Sequence, residues 1–183
     1  MAKGTCWRSL LAAVTELHGP GAVDRVVAAL PSDLGERVRS KSLLTSQWYP
    51  LEWFKTTYGT ARQVLGGGPS FARDVGRVST IDDLKGIYKV FLLFISPQYF
   101  LSKAPLMFNS YYSVGRMIVL DPQPRSVGAR LEGCVGFDLN LWEDVLGVAE
   151  GSLTAAGAKE VQVELLSGGR DGDTGCEMRA TWH

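Results

Sequence analysis

The hydrophobic pattern of the chain changes its period close to residue 115. Before that point apolar residues recur every three or four positions, as at Leu10, Val14 and Leu17, which is the spacing of an amphipathic helix. After it they alternate with polar residues, as in the segment 127–131, which is the spacing of a half-buried strand. The pattern therefore predicts helices first and a sheet afterwards.

Proline and glycine mark where the first predicted helices begin and end. The first helix ends at Gly19, and a second, short helix ends at Pro31. A third helix begins at Pro50, because proline is tolerated in the first turn of a helix. Its Trp53 and Phe54 are consecutive and cannot face the core equally. Two interpretations stay open: a broad buried helix, or an exposed aromatic edge that marks an interface.

Three further helices are predicted before the change of period. A short one lies around Phe71–Val75, and the capping-box pattern Thr80–Asp83 begins a second, strongly apolar helix. Ser96 and Pro97 cap and open the third. We expect Pro105 to interrupt or kink this helix, because proline cannot donate a helical hydrogen bond.

The last third of the chain predicts a β-β-α-β-β unit. Strands 117–120 and 127–131 flank a turn at 121–124, Asp138 caps a helix that ends at Gly157, and two alternating strands follow. One face of each strand is apolar and the other is charged, so the sheet should be covered on one side only. On the charged face the pattern allows Glu164 to lie opposite Arg179.

These elements predict an α/β (α+β) fold in which N-terminal helices pack on a four-stranded antiparallel sheet. The length of 183 residues and the 45% of hydrophobic residues suit one globular domain, residues 1–183. Its helical part would span residues 5–113 and its sheet-containing part residues 115–182.

Charge and cysteine content exclude several classes of function. Nineteen Lys and Arg balance 19 Asp and Glu, so no basic field attracts nucleic acid or an anionic membrane. The longest apolar run, residues 90–95, is far shorter than the about 20 residues of a membrane span. Cys6, Cys134 and Cys176 are scattered and odd in number, which favours reduced thiols and a cytoplasmic location.

Histidine is nearly absent, which restricts the available chemistry. His18 precedes Gly19 and is expected to bind the last carbonyls of the first helix, and His183 closes the chain. A catalytic triad or a zinc site would need imidazole or cysteine ligands held close together. We therefore expect no catalytic residue, no metal and no cofactor.

Several segments resemble a paralogous domain family that is expanded in myxobacteria and has no known function. The similarity extends over roughly residues 5–182. The segments that carry it are Ile87–Phe91, Ile95–Pro97, Ser102–Pro105, Phe108–Gly115, Ser152–Ala158 and Cys176–Trp182. That family is distantly similar to a superfamily of haem nitric-oxide/oxygen-binding domains, vinyl-reductase-like sensor domains and TRAPP subunits. The resemblance implies helices first, then a four-stranded antiparallel sheet with an inserted helix.

The chain departs from this superfamily at the haem site. Haem sensors of the superfamily use a proximal histidine and a Tyr-x-Ser-x-Arg motif that holds the haem propionates. Here Tyr111-x-Ser113 is present, but Arg116 comes one residue late, and no histidine lies between His18 and His183. The zinc-binding cysteine cluster of some vinyl-reductase-like sensors has no match either. The resemblance thus implies the fold without haem or zinc.

We predict a non-enzymatic, cytoplasmic domain for ligand sensing or protein interaction, a homodimer like the superfamily members that it resembles. A small apolar ligand would lie between the helices and the sheet, and a protein partner would receive the signal. The candidate ligand-binding residues are Tyr88, Tyr111, Tyr112, Arg116, Cys134 and Trp142.

Two other functions stay open. One is a structural subunit of a larger assembly, which would lack a pocket. The other is a small enzyme that uses carboxylates or a thiol, with Cys134, Asp138, Glu132 or Arg116 near one pocket mouth. Against the enzyme, isolated polar residues beside a strand end are common caps and turn formers.

Overall fold

The computed structural model describes residues 1–87 and 97–183, and the side chains of residues 82–87 and 98 are not part of this description. Tyr88 and the apolar run 90–95 lie outside the described residues. The described helices are α1 (Gly4–His18), α2 (Ala22–Ala29), α3 (Ser32–Arg39), α4 (Leu51–Val64), α5 (Phe71–Ile87), α6 (Pro97–Tyr111) and α7 (Leu139–Ala155). The described strands are β1 (Ala2–Lys3), β2 (Trp48–Tyr49), β3 (Arg116–Gln123), β4 (Ser126–Glu132), β5 (Gln162–Gly168) and β6 (Cys176–Thr181).

The predicted fold class is confirmed. Strands β3 to β6 form one antiparallel sheet in the order β3-β4-β6-β5, and α7 connects its two hairpins. Strands β1 and β2 form a separate antiparallel ribbon. The β4–β6 register places Val127 opposite Ala180 and Ala129 opposite Met178, and all four side chains are buried. The alternation of apolar and polar residues thus gives the sheet one buried face.

The opposite face of the sheet is charged, as predicted. Arg130 forms an ion pair with Glu177 across β4 and β6, with 2.7 Å between Nε and Oε1. Glu164 lies opposite Arg179 in the β5–β6 register. Arg130, Glu164 and Arg179 are exposed, so solvent screens these charges and they add little to the stability of the sheet.

Helix α7 forms a close backbone contact with α5 through glycine. A Cβ atom added to Gly147 would overlap the carbonyl oxygen of Arg73, and one added to Gly151 would overlap that of Arg77. Arg73 also reaches from α5 to Glu150 on α7 (Nη2 to Oε1, 2.7 Å). The absence of side chains at Gly147 and Gly151 therefore allows the two helix backbones to come into direct contact.

The aromatic residues at the start of α4 form a broad inward face. Phe54 and Tyr58 are buried. Trp53 is partly buried, and the Arg37 guanidinium lies 5.2 Å from its ring centroid. The structure therefore favours the buried-helix interpretation of this segment over an exposed aromatic edge.

Two predicted helix breaks in the helical part are wrong, whereas a kink at Pro105, the other expectation, stays a prediction. The segment 71–87 is one continuous helix, so Thr80 is an internal residue and not a helix start. Close packing of α5 on α7 outweighs the local capping signal. Pro105 does not end α6, because the buried Phe100 and Phe108 anchor the helix on both sides of it.

Three parts of the chain differ from the predicted elements: helix α3, strand β2 and the end of strand β3. Helix α3 is missed because it is strongly polar and buries only Leu34 and Gly35. Trp48 and Tyr49 form a strand with the N terminus. Strand β3 continues to Gln123 through a bulge and the turn follows it, because Asp121 adopts a positive φ of 41°.

Candidate ligand cavity

A cavity of about 670 Å³ lies between the helices and the inner face of the sheet. Its volume falls within the roughly 300–1,000 Å³ that small-molecule sites occupy. Side chains from α1, α4, α5, α6, α7 and strands β3 to β6 line it, and most of them are apolar. The cavity therefore suits a small, mainly apolar molecule.

The sheet forms one wall of the cavity. Val127 and Ala129 on β4, Met178 and Ala180 on β6, and Val163 on β5 all line it. These residues occupy alternate positions of their strands, so the period-2 pattern of the sequence places them on one side. Small side chains such as Ala129 and Ala180 leave the space that larger residues would fill.

One buried carboxyl group interrupts this apolar lining. Asp144 on α7 is only 7% exposed and lines the cavity. The Tyr58 hydroxyl donates to Oδ1 of Asp144 over 2.5 Å, and the Tyr112 hydroxyl donates to Oδ2 over 3.2 Å. We call Asp144, Tyr58 and Tyr112 the carboxylate–phenol cluster. It joins α4, α7 and the residue that follows α6.

Burial determines the protonation of this cluster. It raises the pKa of Asp144 from 3.8 to about 6, although hydrogen bonds from Tyr58 and Tyr112 act in the opposite direction. Burial, with the neighbouring Asp144 charge, raises the pKa of both tyrosines well above 10. At neutral pH the carboxyl group is therefore mainly ionised, and both phenols are neutral donors.

The ligand-binding residues predicted from the sequence do not all lie at the cavity. Tyr111 and Tyr112 line the cavity, and Tyr88 lies outside the described residues. Arg116 is exposed on the charged face, where its Nη2 lies 2.7 Å from Oε2 of Glu132.

Trp142 and Cys134 are buried but do not belong to the cavity lining. Trp142 donates from Nε1 to the Arg170 carbonyl over 3.2 Å. Cys134 packs beneath Gly115, where an added Cβ would lie 2.5 Å from its Sγ atom. Burial raises the pKa of the Cys134 thiol to about 12, so this group is not a thiolate at neutral pH.

The groups considered for an enzyme have structural partners instead. Asp138 caps α7, accepting from the Leu141 amide over 3.0 Å. Glu132 pairs with Arg116. In the part of the chain that the structure describes, no three His, Cys, Asp or Glu residues come together to hold a metal ion. Within that same part, no helix is long and apolar enough to cross a membrane.

The sequence predictions missed Asp144 and Tyr58. A signal for Asp144 exists, because Leu141, Asp144, Val145 and Val148 follow the i, i+3, i+4, i+7 spacing of one helix face. An acidic residue on an otherwise apolar face points to a buried polar group. Nothing local in the sequence pairs it with Tyr58, which lies 86 residues away.

No family model and no curated protein matches the chain. Solved structures do match it over nearly its whole length. An oxygen-binding H-NOX domain related to soluble guanylate cyclases matches 98% of this chain and 94% of its own, with a TM-score of 0.72 and 17% identity. The chain has the fold of H-NOX domains. A mutant H-NOX protein from T. tengcongensis matches 98% of this chain and 97% of its own, with a TM-score of 0.70 and 17% identity.

A more divergent H-NOX protein, an unliganded Fe(II) mutant from K. algicida, also has this fold. It matches 99% of this chain and 96% of its own, with a TM-score of 0.70 and 11% identity. At such low identities the likeness extends to the fold and not to the residues of the site.

H-NOX neighbours include a structure concerned with haem redox potential and porphyrin distortion, so haem is the cofactor to test. The chain has two histidines, and neither lines the cavity. The His18 ring packs on Phe71 with centroids 5.5 Å apart, and His183 lies 3.3 Å from Glu160. The phenols of Tyr58 and Tyr112 keep their protons, so they are poor iron ligands. The residues present do not fit a histidine-ligated haem.

Proposed function

We propose that this chain is a ligand-sensing domain that binds a small apolar molecule in the cavity between its helices and its sheet. The observation that carries the proposal is the cavity itself, about 670 Å³ in volume and lined mainly by apolar side chains. Apolar cavities of this size bind apolar ligands, because the ligand replaces weakly held water or empty space.

The H-NOX fold supports a sensing role in general terms. A neighbour with this fold is an oxygen-binding domain. The residues of the present cavity do not fit a histidine-ligated haem, so we extend only the role of ligand binding. A purely structural subunit is disfavoured, because a protein without a ligand gains stability by filling such a space.

We further propose that residues 1–183 act as a single domain in the cytoplasm, as a homodimer or with a protein partner. The resemblance to dimeric sensor domains and the scattered positions and odd number of the cysteines support this. Size-exclusion chromatography with light scattering tests the dimer. A particle of 19.9 kDa at every concentration would contradict it.

A fluorescent apolar probe tests the binding function. N-phenyl-1-naphthylamine is uncharged at neutral pH, and its fluorescence rises in apolar surroundings. We expect saturable binding of one probe per chain. Absence of saturable binding to the folded protein would contradict the proposal.

Two alanines of α7 provide a matched pair of variants. Ala149 lines the cavity, whereas Ala155 on the same helix does not, and both are partly exposed. Ala149→Phe should fill part of the cavity and weaken probe binding at least about tenfold, equivalent to about 1.4 kcal/mol. Ala155→Phe should bind the probe like the wild type. Equal probe binding by both variants would place the probe outside the cavity.

A further inference from the structure

We infer that the cavity selects amphiphiles with a single cationic head, such as an apolar amine whose protonated nitrogen binds Asp144. The inference rests on the proposed function and names the chemical class of its ligand. Asp144 places one buried anionic side chain in the wall of a mainly apolar cavity.

Asp144 keeps hydrogen-bonding capacity for a ligand. Tyr58 occupies one position on Oδ1 and Tyr112 one position on Oδ2. An ionised carboxylate offers about four lone-pair positions, two on each oxygen. Oδ1 is also packed closely against Gly76 of α5. Because Asp144 lines the cavity, we expect a donor inside the cavity to bind the open position on Oδ2.

The negative charge of Asp144 has no cationic partner in the described part of the chain. No described Lys, Arg or His side chain lies within ion-pairing distance of it. The cationic residues in the cavity lining, Arg8 and Lys103, are exposed, and Lys103 lies over the Tyr99 ring. A buried charge without a counter-charge is costly, so a cation in the cavity would be bound more tightly than a neutral group.

Aromatic rings flank the carboxylate and favour the same charge. The Phe54 and Tyr58 rings lie 5.2 Å apart, and the Phe108 and Tyr112 rings lie 5.3 Å apart. All four residues line the cavity. The faces of such rings attract ammonium groups. The Asp144 charge repels a carboxylate at this place, since the cationic Arg8 and Lys103 lie in the exposed part of the lining. The apolar wall of the sheet accepts the rest of the ligand.

A structural role for the carboxylate–phenol cluster is the competing explanation. Two phenols that hold a carboxylate between α4 and α7 would stabilise the fold without any ligand. That role predicts no preference among ligands that differ only in their head groups. Head-group selectivity therefore separates the two explanations.

The test is displacement of N-phenyl-1-naphthylamine by octylamine, octan-1-ol and octanoate at neutral pH, where octylamine is protonated. We expect octylamine to displace the probe at concentrations at least about tenfold lower than octan-1-ol, with octanoate the weakest. Equal displacement by all three would overturn the inference and leave the proposed function intact. Failure of the probe to bind would overturn both.

Two variants locate the selectivity. Asp144→Asn removes the charge and should abolish the preference for octylamine while octan-1-ol still displaces the probe. Tyr58→Phe keeps the carboxylate and should keep the preference, which controls for disturbance of the cluster. If Asp144→Asn does not fold, the order of the three compounds on the wild type and on Tyr58→Phe still decides the matter. A preference that survives in folded Asp144→Asn would overturn the assignment.

Discussion

Thr57 joins two helices through one buried hydroxyl group. Its oxygen accepts from Nε1 of Trp7 on α1 over 3.0 Å, and the hydroxyl donates to the Trp53 carbonyl over 2.8 Å. Trp7 and Thr57 are buried, so water cannot replace either partner. A single hydroxyl therefore satisfies the indole of a core tryptophan.

Thr57→Val tests this hydrogen bond. Valine has nearly the same shape but leaves the Trp7 indole N–H unpaired, so we expect a loss of about 1–3 kcal/mol in the free energy of unfolding. Urea unfolding measures it. Thr60→Val on the same helix is the control, because Thr60 is partly exposed, and it should change stability by less than about 0.5 kcal/mol. Equal losses in both variants would contradict the role of Thr57.

The pKa of Asp144 predicts how stability depends on pH. Burial raises this pKa from 3.8 in the unfolded chain to about 6 in the folded one, so the folded protein binds the proton more tightly. The stability that Asp144 contributes is complete below about pH 4 and decreases as pH rises through about 6. Tyr58 and Tyr112, which face Asp144, stay neutral throughout this range.

The measurement compares wild type with Asp144→Asn by urea unfolding over this pH range. Subtracting the free energy of unfolding of Asp144→Asn from that of the wild type removes the contributions of the other titrating groups, which both proteins share. Relative to Asp144→Asn, the wild type should lose about 2 kcal/mol of unfolding free energy between pH 4 and pH 7. A difference that stays constant or rises with pH would contradict a raised pKa.

At the scale of elements, the contact between α5 and α7 depends on glycine. The Arg73 carbonyl oxygen occupies the position where residue 147 would carry a Cβ atom. Helix α7 also carries Asp144 and Ala149, which line the cavity.

Gly147→Ala should destabilise the protein by about 1–3 kcal/mol, because the methyl group forces two backbones apart. Gly59→Ala on α4 is the control. Nothing lies within 4 Å of its added Cβ, so alanine should stabilise this helix by up to about 1 kcal/mol. Thermal unfolding measures both changes. A neutral Gly147→Ala would contradict the close contact.

Elements with a strong hydrophobic period could be predicted, and elements set by contacts across the fold could not. The strands around Val127 and Met178 and the cap at Asp138 follow from local pattern. Helix α3 has only two large apolar residues, Leu34 and Val38, which are too few to indicate a helix among its charged neighbours. The unbroken course of α5 past Thr80 depends on packing against a helix far away in the chain.

At the scale of the whole molecule, the cavity could be predicted as a place but not as a set of residues. The order of helices and strands follows from the sequence and its resemblance. So does the choice of Tyr111 and Tyr112 as candidate residues, both of which line the cavity. The pairing of Tyr58 with Asp144 does not, because 86 residues separate them and only the assembled fold brings them together. The similarity to H-NOX domains has the same limit, since at 17% identity it shows the fold alone and names no residue of the cavity.

A crystal structure of the protein grown with octylamine tests the central claim most directly. We expect density for one octylamine molecule between the helices and the sheet, with its nitrogen within about 3 Å of Asp144 and its chain against Ala129 and Ala149. A cavity that holds only water or repacked side chains, with octylamine bound elsewhere or not at all, would contradict it.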